Sequence, residues 1–298
     1  MINGTSIEPG WKRDSFDSPD AWQIPYDDDY SRLTDRVMAR LDDNLGFVVI
    51  KDVPTDRMSL DGAQDLALRM LAGLGRPVRQ GPVRRSRLTW LVRHEGLSRF
   101  TPDGRFQEGI HTSKTRDGLE LHNDSATRPY GTDFDFFALL AYRSAKSGGE
   151  SLLVNARTVY SVLRREFPGE LARLRQPFAF ERRHVTNHGQ NPISWDPVFT
   201  EAGKRLRVRC NRQRIEMACE LTDAPLRSEE RSALDALDNI LARPELRITF
   251  TLQEGECLVV DDHDVLHGRT SFIDHQAQDQ RRCLIRVLMT RSAATGQS

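Results

Sequence analysis

Residues 255–270 read Gly-Glu-Cys-Leu-Val-Val-Asp-Asp-His-Asp-Val-Leu-His-Gly-Arg-Thr. The apolar run within 256–262 is too short for a helix and rich in β-branched residues, so it predicts a strand, with His267 at the end of the apolar stretch that follows. Runs of the same texture lie at 87–93, 133–142, 150–155, 177–184, 204–210, 246–253 and 282–290, separated by Gly, Pro, Asn and Asp. Short strands at irregular intervals predict a mostly β sandwich or barrel. A mostly antiparallel double sheet with helices packed outside it, a jelly roll, is the simplest architecture that satisfies its edges.

Helical spacing flanks these runs. Leu33, Val37, Met38 and Leu41 predict a helix from Tyr30, which Gly46 ends before the buried strand Phe47-Val-Val-Ile50. Ser59 caps a second helix carrying Leu60, Ala63, Leu66, Ala67, Met70 and Leu74 on one face. Two helical inserts are expected, at Ala156–Glu166 and at Ser228–Arg243, the latter with Leu234, Leu237, Ile240 and Leu241. Residues 1–29 are polar and read as a solvated arm, 30–292 as one domain and 293–298 as a tail, with no repeat and no low-complexity linker.

The 298 residues balance 43 Lys+Arg against 43 Asp+Glu. A net charge of zero recruits neither a polyanion nor a membrane surface at long range, which argues against nucleic acid as a partner. No apolar stretch has the length of a membrane span or the layout of a signal peptide. Cys210, Cys219, Cys257 and Cys283 form no CxxC pair and read as free thiols of a reduced, cytoplasmic protein. Oligomeric state is not legible.

Chemistry enters at Gly118-Leu-Glu-Leu-His122-Asn-Asp124-Ser-Ala, where the period of an extended chain turns His122 and Asp124 to one face. An HxD pair alone is commonplace. With His267, however, it offers two imidazoles and one carboxylate, a set that leaves three positions open on an octahedral Fe(II). In the last strand, Arg282, Leu284, Arg286 and Leu288 share a face. They form either a half-exposed edge or an interior face from which a guanidinium forks onto a carboxylate.

The ordered set His-Asn-Asp-Ser-Ala (122–126), Ser-Gly-Gly-Glu-Ser (147–151), the 255–270 stretch with its Leu-His-Gly-Arg-Thr-Ser-Phe ending, and Arg-Arg-Cys-Leu-Ile-Arg (281–286) resembles the taurine dioxygenase family and its clavaminate-synthase-like relatives over residues 30–292. The resemblance implies a double-stranded β-helix, a jelly roll or cupin-like barrel with flanking α-helices. It further implies a non-haem iron enzyme in which His122, Asp124 and His267 hold Fe(II). Arg286 would bind the distal carboxylate of 2-oxoglutarate and Ser151, where relatives place Thr, would hydrogen-bond that cosubstrate. Arg282, with Arg281 beside it, would meet the anionic group of the substrate. With O2 such an enzyme hydroxylates or desaturates an unactivated C–H, releasing succinate and CO2. Retention of Asp124 disfavours halogenation.

Asn123 stands where Thr is common, turned from the metal, and is grouped with Trp90 and Arg93 as a candidate substrate contact. Residues 99–117 read as a lid. His94, His111, His263 and His275 read as hydrogen-bonding or surface residues, and 182–189, with His184 and His188, as a basic solvated loop. Arg205, Arg207 and Arg209 read as a solvated sheet face, with a dimer surface or a contact for a phosphopantetheine arm as the alternative. The expected substrate is a small polar molecule, anionic or zwitterionic, possessing an amino acid's character or derived from one, in specialised metabolism. A rival of another class is a catalytically silent jelly roll that binds a metal or ligand as a sensor.

Overall fold

The 256–262 run becomes β14 (Cys257–Asp261), buried along its whole length. It pairs antiparallel with β2 (Phe47–Lys51) on one side and β6 (Phe136–Arg143) on the other. The computed structural model describes residues 7–81, 86–104, 107, 110–128, 134–182, 190–202 and 205–291. Beyond β6 lies β17 (Cys283–Arg291), whose outer edge takes both β3 (Gly75–Val78) and β4 (Thr89–Val92). At the opposite edge, β1 (Gln23–Pro25) runs parallel to β2, which completes seven strands. A separate four-stranded sheet follows the order β13 (Arg247–Phe250), β8 (Ser151–Asn155), β15 (Val265–Arg269), β5 (Leu119–His122). Three short ribbons pair β9 (Pro177–Glu181) with β10 (Ile193–Pro197), β11 (Phe199–Ala202) with β12 (Arg205–Val208), and β7 (Ser147–Gly148) with β16 (Phe272–Ile273).

Strand alternation sorts the apolar residues into layers. Leu258 and Val260 of β14 join Phe47, Phe137, Leu284 and Leu288, and across from them Leu153, Ile248 and Val265 of the smaller sheet, in one cluster between the sheets. Cys257 and Val259 face the other way. They pack with Ile285, Val287 and Met289 beneath α1 (Tyr30–Arg40) and α2 (Leu60–Met70). The outer face of the smaller sheet, through Val154 and Leu266, is covered by α3 (Ala156–Glu166), α4 (Pro168–Leu174) and α6 (Ser228–Leu241). The layer order is therefore helix, sheet, sheet, helix, a mixed β core between helices.

All eight expected β-runs contain strands, and the four expected helices form. Residues 7–29 are not a solvated arm, since Trp11, Trp22 and Ile24 are buried and the Trp11 indole donates to the Leu45 carbonyl at 2.6 Å. Periodicity missed α4 and α5 (Arg212–Thr222), the latter buried only through Ile215, Met217 and Ala218. The tail at 293–298 lies outside the described residues. All four cysteines are free, and no helix of the described residues is long and apolar enough to cross a membrane.

The start of α6 carries a testable electrostatic tie. Glu230 accepts the Arg227 backbone N–H at 2.8 Å and its guanidinium at 2.9 Å, and also meets buried Arg173 from α4. Burial pushes the Glu230 carboxyl up, but these bonds outweigh it and hold the carboxyl down at about 2. A depressed carboxyl stabilises the fold above its unfolded value, and this contribution fades as pH falls toward the folded one. Glu230→Gln should therefore cost about 1 kcal/mol at pH 7, limited by solvent screening. Urea midpoints of the two proteins should differ at pH 7, draw together as pH falls, and converge only below about pH 2, where the folded carboxyl is itself protonated. An equal gap at both pH values would refute the tie.

Candidate metal centre

Antiparallel pairing of β15 with β5 sets His267 directly opposite His122, and residues so placed have neighbouring side chains. The rings lie 4.4 Å apart between centroids. Asp124 follows two residues after His122, and one ligand atom from each of His122, Asp124 and His267 lies within 4.8 Å of the others. The His122 Nδ1 faces the Glu120 carbonyl at 2.8 Å, which leaves Nε2, 3.6 Å from Asp124 Oδ1, as the free ring nitrogen. The His267 ring rests 4.1 Å from Phe137, and its buried Nδ1 faces Asp262 Oδ1 at 3.9 Å. Two imidazoles and a carboxylate in this arrangement fit Fe(II) with coordination positions left over.

The turn after β5 is fixed from two sides. Asp262, fully buried, accepts the backbone N–H of Asp124 at 3.0 Å and of Ser125 at 2.8 Å. Arg209 donates to the carbonyls of Ser125, Ala126 and Arg128. Arg209 is thus buried structure and not part of a solvated face, because β12 ends before it and the chain turns inward. Asn123 is corrected for the same reason. It is fully buried, donates to Ser125 Oγ and the Val208 carbonyl, and accepts from the Cys210 N–H, so it has no face toward a substrate.

Burial, reinforced by the charges of His122 and Arg286, holds His267 down at about 3, so the imidazole is neutral and ready to ligate. Burial also opposes charge on His122, but Asp124 outweighs it and raises the ring. Asp124 is pushed up by burial and pulled further down by Arg286 and both histidines, and so stays ionised. Burial and the charge of Asp124 push the Asp262 carboxyl up to about 7.

Arg282, the residue before β17, and Arg286 within it occupy different surroundings. Arg286 Nη1 donates to Asp124 Oδ2 at 2.7 Å and its Nε to Gln80 Oε1 at 2.8 Å. Arg282 is 5% exposed, and its Nη1 finds no hydrogen-bond partner among the described residues. Its guanidinium lies 4.9 Å from the Phe272 ring and against Gly149, where a Cβ would come within 3.2 Å of Nε. Gly149 also has φ +74°, so the 147–151 stretch needs glycine there both for its backbone and for the approach of Arg282. Ser151, two residues on, is buried opposite Arg269. The edge-strand reading of β17 fails, since the strand has neighbours on both sides.

A cavity of about 310 Å³ adjoins His122 and Asp124, and Trp90, His111, Phe134 and Arg286 are among its walls. Trp90 is thereby brought to the centre, and His111, read as peripheral, joins it. Arg93 is not. It lines a separate cavity of about 870 Å³ with Arg143 and Arg281, because alternation along β4 turns it from Trp90. The 99–117 segment is tethered where described, Arg99 being buried against Glu120 at 2.8 Å and Ser113 accepting the Trp90 indole at 2.9 Å. His184 and His188 lie outside the described residues. Sequence reasoning passed over Asp262, Gln80 and Arg214. Only Asp262 left a signal, the second of two acids that close an otherwise apolar run.

A family model described as taurine catabolism dioxygenase TauD, TfdA family matches residues 14–289. FR-33289 synthase of Streptomyces rubellomurinus is 24% identical over 262 residues, 86% of this chain and 72% of that protein. A uridine-5′-phosphate dioxygenase of a Streptomyces species is 32% identical over 174 residues, 57% of this chain and 60% of that one. Among solved structures, asparagine oxygenase in complex with Fe(II), 3-hydroxyasparagine and succinate aligns over 90% of this chain and 93% of its own, with a TM-score of 0.64 at 18% identity. That likeness is one of fold.

Proposed function

The chain belongs to the TauD, TfdA family of taurine catabolism dioxygenases, and from that premise we propose that His122, Asp124 and His267 bind its iron(II) while Arg282 and Ser151 hold the distal carboxylate of 2-oxoglutarate. The protein is a non-haem iron, 2-oxoglutarate-dependent dioxygenase acting on a small molecule, which sets aside the silent sensor. Bound iron and 2-oxoglutarate supply the O2-dependent oxidation of an unactivated C–H, with succinate and CO2 as co-products. The carrying observation is the convergence of the three ligand atoms within 4.8 Å beside an open cavity.

This assignment exchanges the roles that the resemblance gave to the two arginines. A buried guanidinium with an unpartnered N–H invites a carboxylate, since an unmet buried donor is costly. Arg282 is such a group, and it lies against the stretch that ends in Ser151. Arg286 instead supports Asp124 and faces the cavity, where it orients the substrate. Phe134 and Leu288 line that cavity and keep water from the reacting carbon. The two facing sheets are read as the halves of a double-stranded β-helix. The substrate is anionic or zwitterionic and is hydroxylated or desaturated, and the free cysteines accord with a cytoplasmic site.

Succinate release with Fe(II) and 2-oxoglutarate tests the activity, and removal of iron by a chelator should end it. Arg282→Gln should raise the KM for 2-oxoglutarate by at least about 30-fold, the scale for truncating one side of a buried charged pair. Arg286→Gln should leave that KM within about threefold and lower product formation instead. The opposite pattern would return the cosubstrate to Arg286.

A further inference from the structure

Buried polar groups are almost always met by a partner, and two guanidiniums between the sheets are not. Arg282 is one. The other is Arg269 of β15, 7% exposed, whose Nε and Nη1 are both buried without a hydrogen-bond partner among the described residues. Neither arginine is ion-paired among those residues. Arg269 Nη2 donates to the Thr115 carbonyl at 3.0 Å and to the Asp117 carbonyl at 2.6 Å, so one arm is anchored while the remaining N–H groups are unmet. Strands β15 and β8 pair in unbroken register from Val265 opposite Asn155 to Arg269 opposite Ser151. Arg269 therefore shares a face with His267, and Ser151 with Leu153, which lies in the cluster between the sheets. Ser151 and Arg269 are cross-strand neighbours on that face. Arg282 comes to the same place, since both guanidiniums lie 4.9 Å from the Phe272 ring.

The carboxylates at hand do not meet these donors. Asp274 accepts the Arg282 backbone N–H at 2.8 Å with one oxygen, and its other oxygen, though buried, bonds to neither guanidinium. Burial, then the charges of Arg282 and Arg99, pulls Arg269 below the ordinary arginine range, with Asp117 and Asp274 pulling the other way. The missing acceptor comes from outside the chain. Water brings two acceptor sites and no charge, whereas a carboxylate brings two charged oxygens that suit forked donors. Arg269 lies two residues past His267, about 7 Å along the strand, a span that a five-carbon diacid anchored at the metal can cover. We propose that Arg269 is a second guanidinium for the distal carboxylate of 2-oxoglutarate, reaching it from β15 while Arg282 reaches it from the start of β17 and Ser151 hydrogen-bonds it. This rests on the iron reading above and adds a residue that the motifs did not bring out. A carboxylate met by two guanidiniums also sets the specificity of the seat, favouring a diacid over a 2-oxo acid that lacks the second carboxylate.

Calorimetric titration of the full chain, loaded anaerobically with Fe(II), tests this with two probes. One is 2-oxoglutarate, and the other is 2-oxobutyrate, which keeps the keto-acid end and lacks the far carboxylate. Arg269→Lys keeps the stem and a charge for the Thr115 and Asp117 carbonyls but loses Nε and the fork. It should weaken 2-oxoglutarate binding by at least about tenfold, and Arg269→Met by about 30-fold, the scale for truncating one side of a buried charged pair. Affinity for 2-oxobutyrate should stay within about twofold in both variants. A thermal midpoint shows that each variant is folded at the temperature of titration, and if the methionine variant is not, the lysine variant decides. A loss shared equally by the two probes would make Arg269 a structural tie to residues 115–117 and overturn the proposal. Unchanged affinity for both probes, the mark of a site filled by water, would overturn it as well. If the parent binds no 2-oxoglutarate, the iron reading falls and this one with it. If the parent binds it and Arg282→Gln weakens that binding while Arg269→Lys does not, this reading falls alone.

Discussion

Asp124→Ala is expected to weaken iron(II) binding by more than about 100-fold, beyond the loss seen when a group behind a metal ligand is removed, and to abolish product formation. Two electrostatic changes act in the same direction. The proposed site loses its one anionic ligand, and Arg286, whose Nη1 lies 2.7 Å from Asp124 Oδ2, is left facing the metal position with its charge uncovered. A guanidinium close to two imidazoles repels a divalent cation at close range. Asp124→Asn should be less severe, since an amide oxygen can still approach the metal, even though its amide nitrogen then sets a donor against the Arg286 guanidinium. Anaerobic equilibrium dialysis measures the affinity, and a thermal midpoint checks that each variant folds. A folded alanine variant that binds iron within about threefold of the parent would refute the ligand assignment.

Asp262→Asn is expected to lower iron affinity by about 10–100-fold although Asp262 is not proposed to touch the metal. Its two oxygens receive the N–H groups of Asp124 and Ser125, and one of them faces His267 Nδ1 at 3.9 Å. An asparagine keeps one acceptor and turns a donor toward a buried donor, so the turn carrying Asp124 must shift. His267 loses the nearby carboxylate that favours the tautomer leaving Nε2 free for metal. A purely structural residue would lower the unfolding midpoint and spare the affinity of the folded protein. A positioning residue lowers the affinity even well below that midpoint. Iron affinity equal to the parent's at 10 °C would rule out the positioning role.

What the sequence made legible was whatever repeats at short range. The strand at 256–262 and the helix at 156–166 were readable because a short continuous apolar run and helical spacing express burial directly. The HxD pair and His267 were readable as one set because residue type and strand period together restrict where they point. Asn123 and Arg93 were misread, and the roles of Arg282 and Arg286 are proposed to be exchanged, for a common reason. Period two says which residues share a face, but not what stands opposite that face. Arg282 meets Gly149 and Phe272, from a hairpin far away in the chain, and Arg286 meets Asp124 and Gln80. Helix α5, which brings Arg214 to the cavity, has too short an apolar stripe to stand out from its flanks. The burial of Trp11 depends on a carbonyl at Leu45 that no local pattern announces.

The division of the site between the two sheets has a consequence for efficiency. Both histidines belong to the four-stranded sheet, whereas Arg286 belongs to the seven-stranded one and Arg282 immediately precedes its strand β17, the two sheets being joined across the apolar cluster that contains Phe137, Leu153, Leu284 and Leu288. The proposed histidine ligands thus come from one half of the sandwich, and the arginines proposed to hold the cosubstrate and to orient the substrate come from the other. Slight loosening of that cluster would not silence the enzyme. It would leave a catalyst that goes on consuming its cosubstrate while its shots at the target carbon go astray.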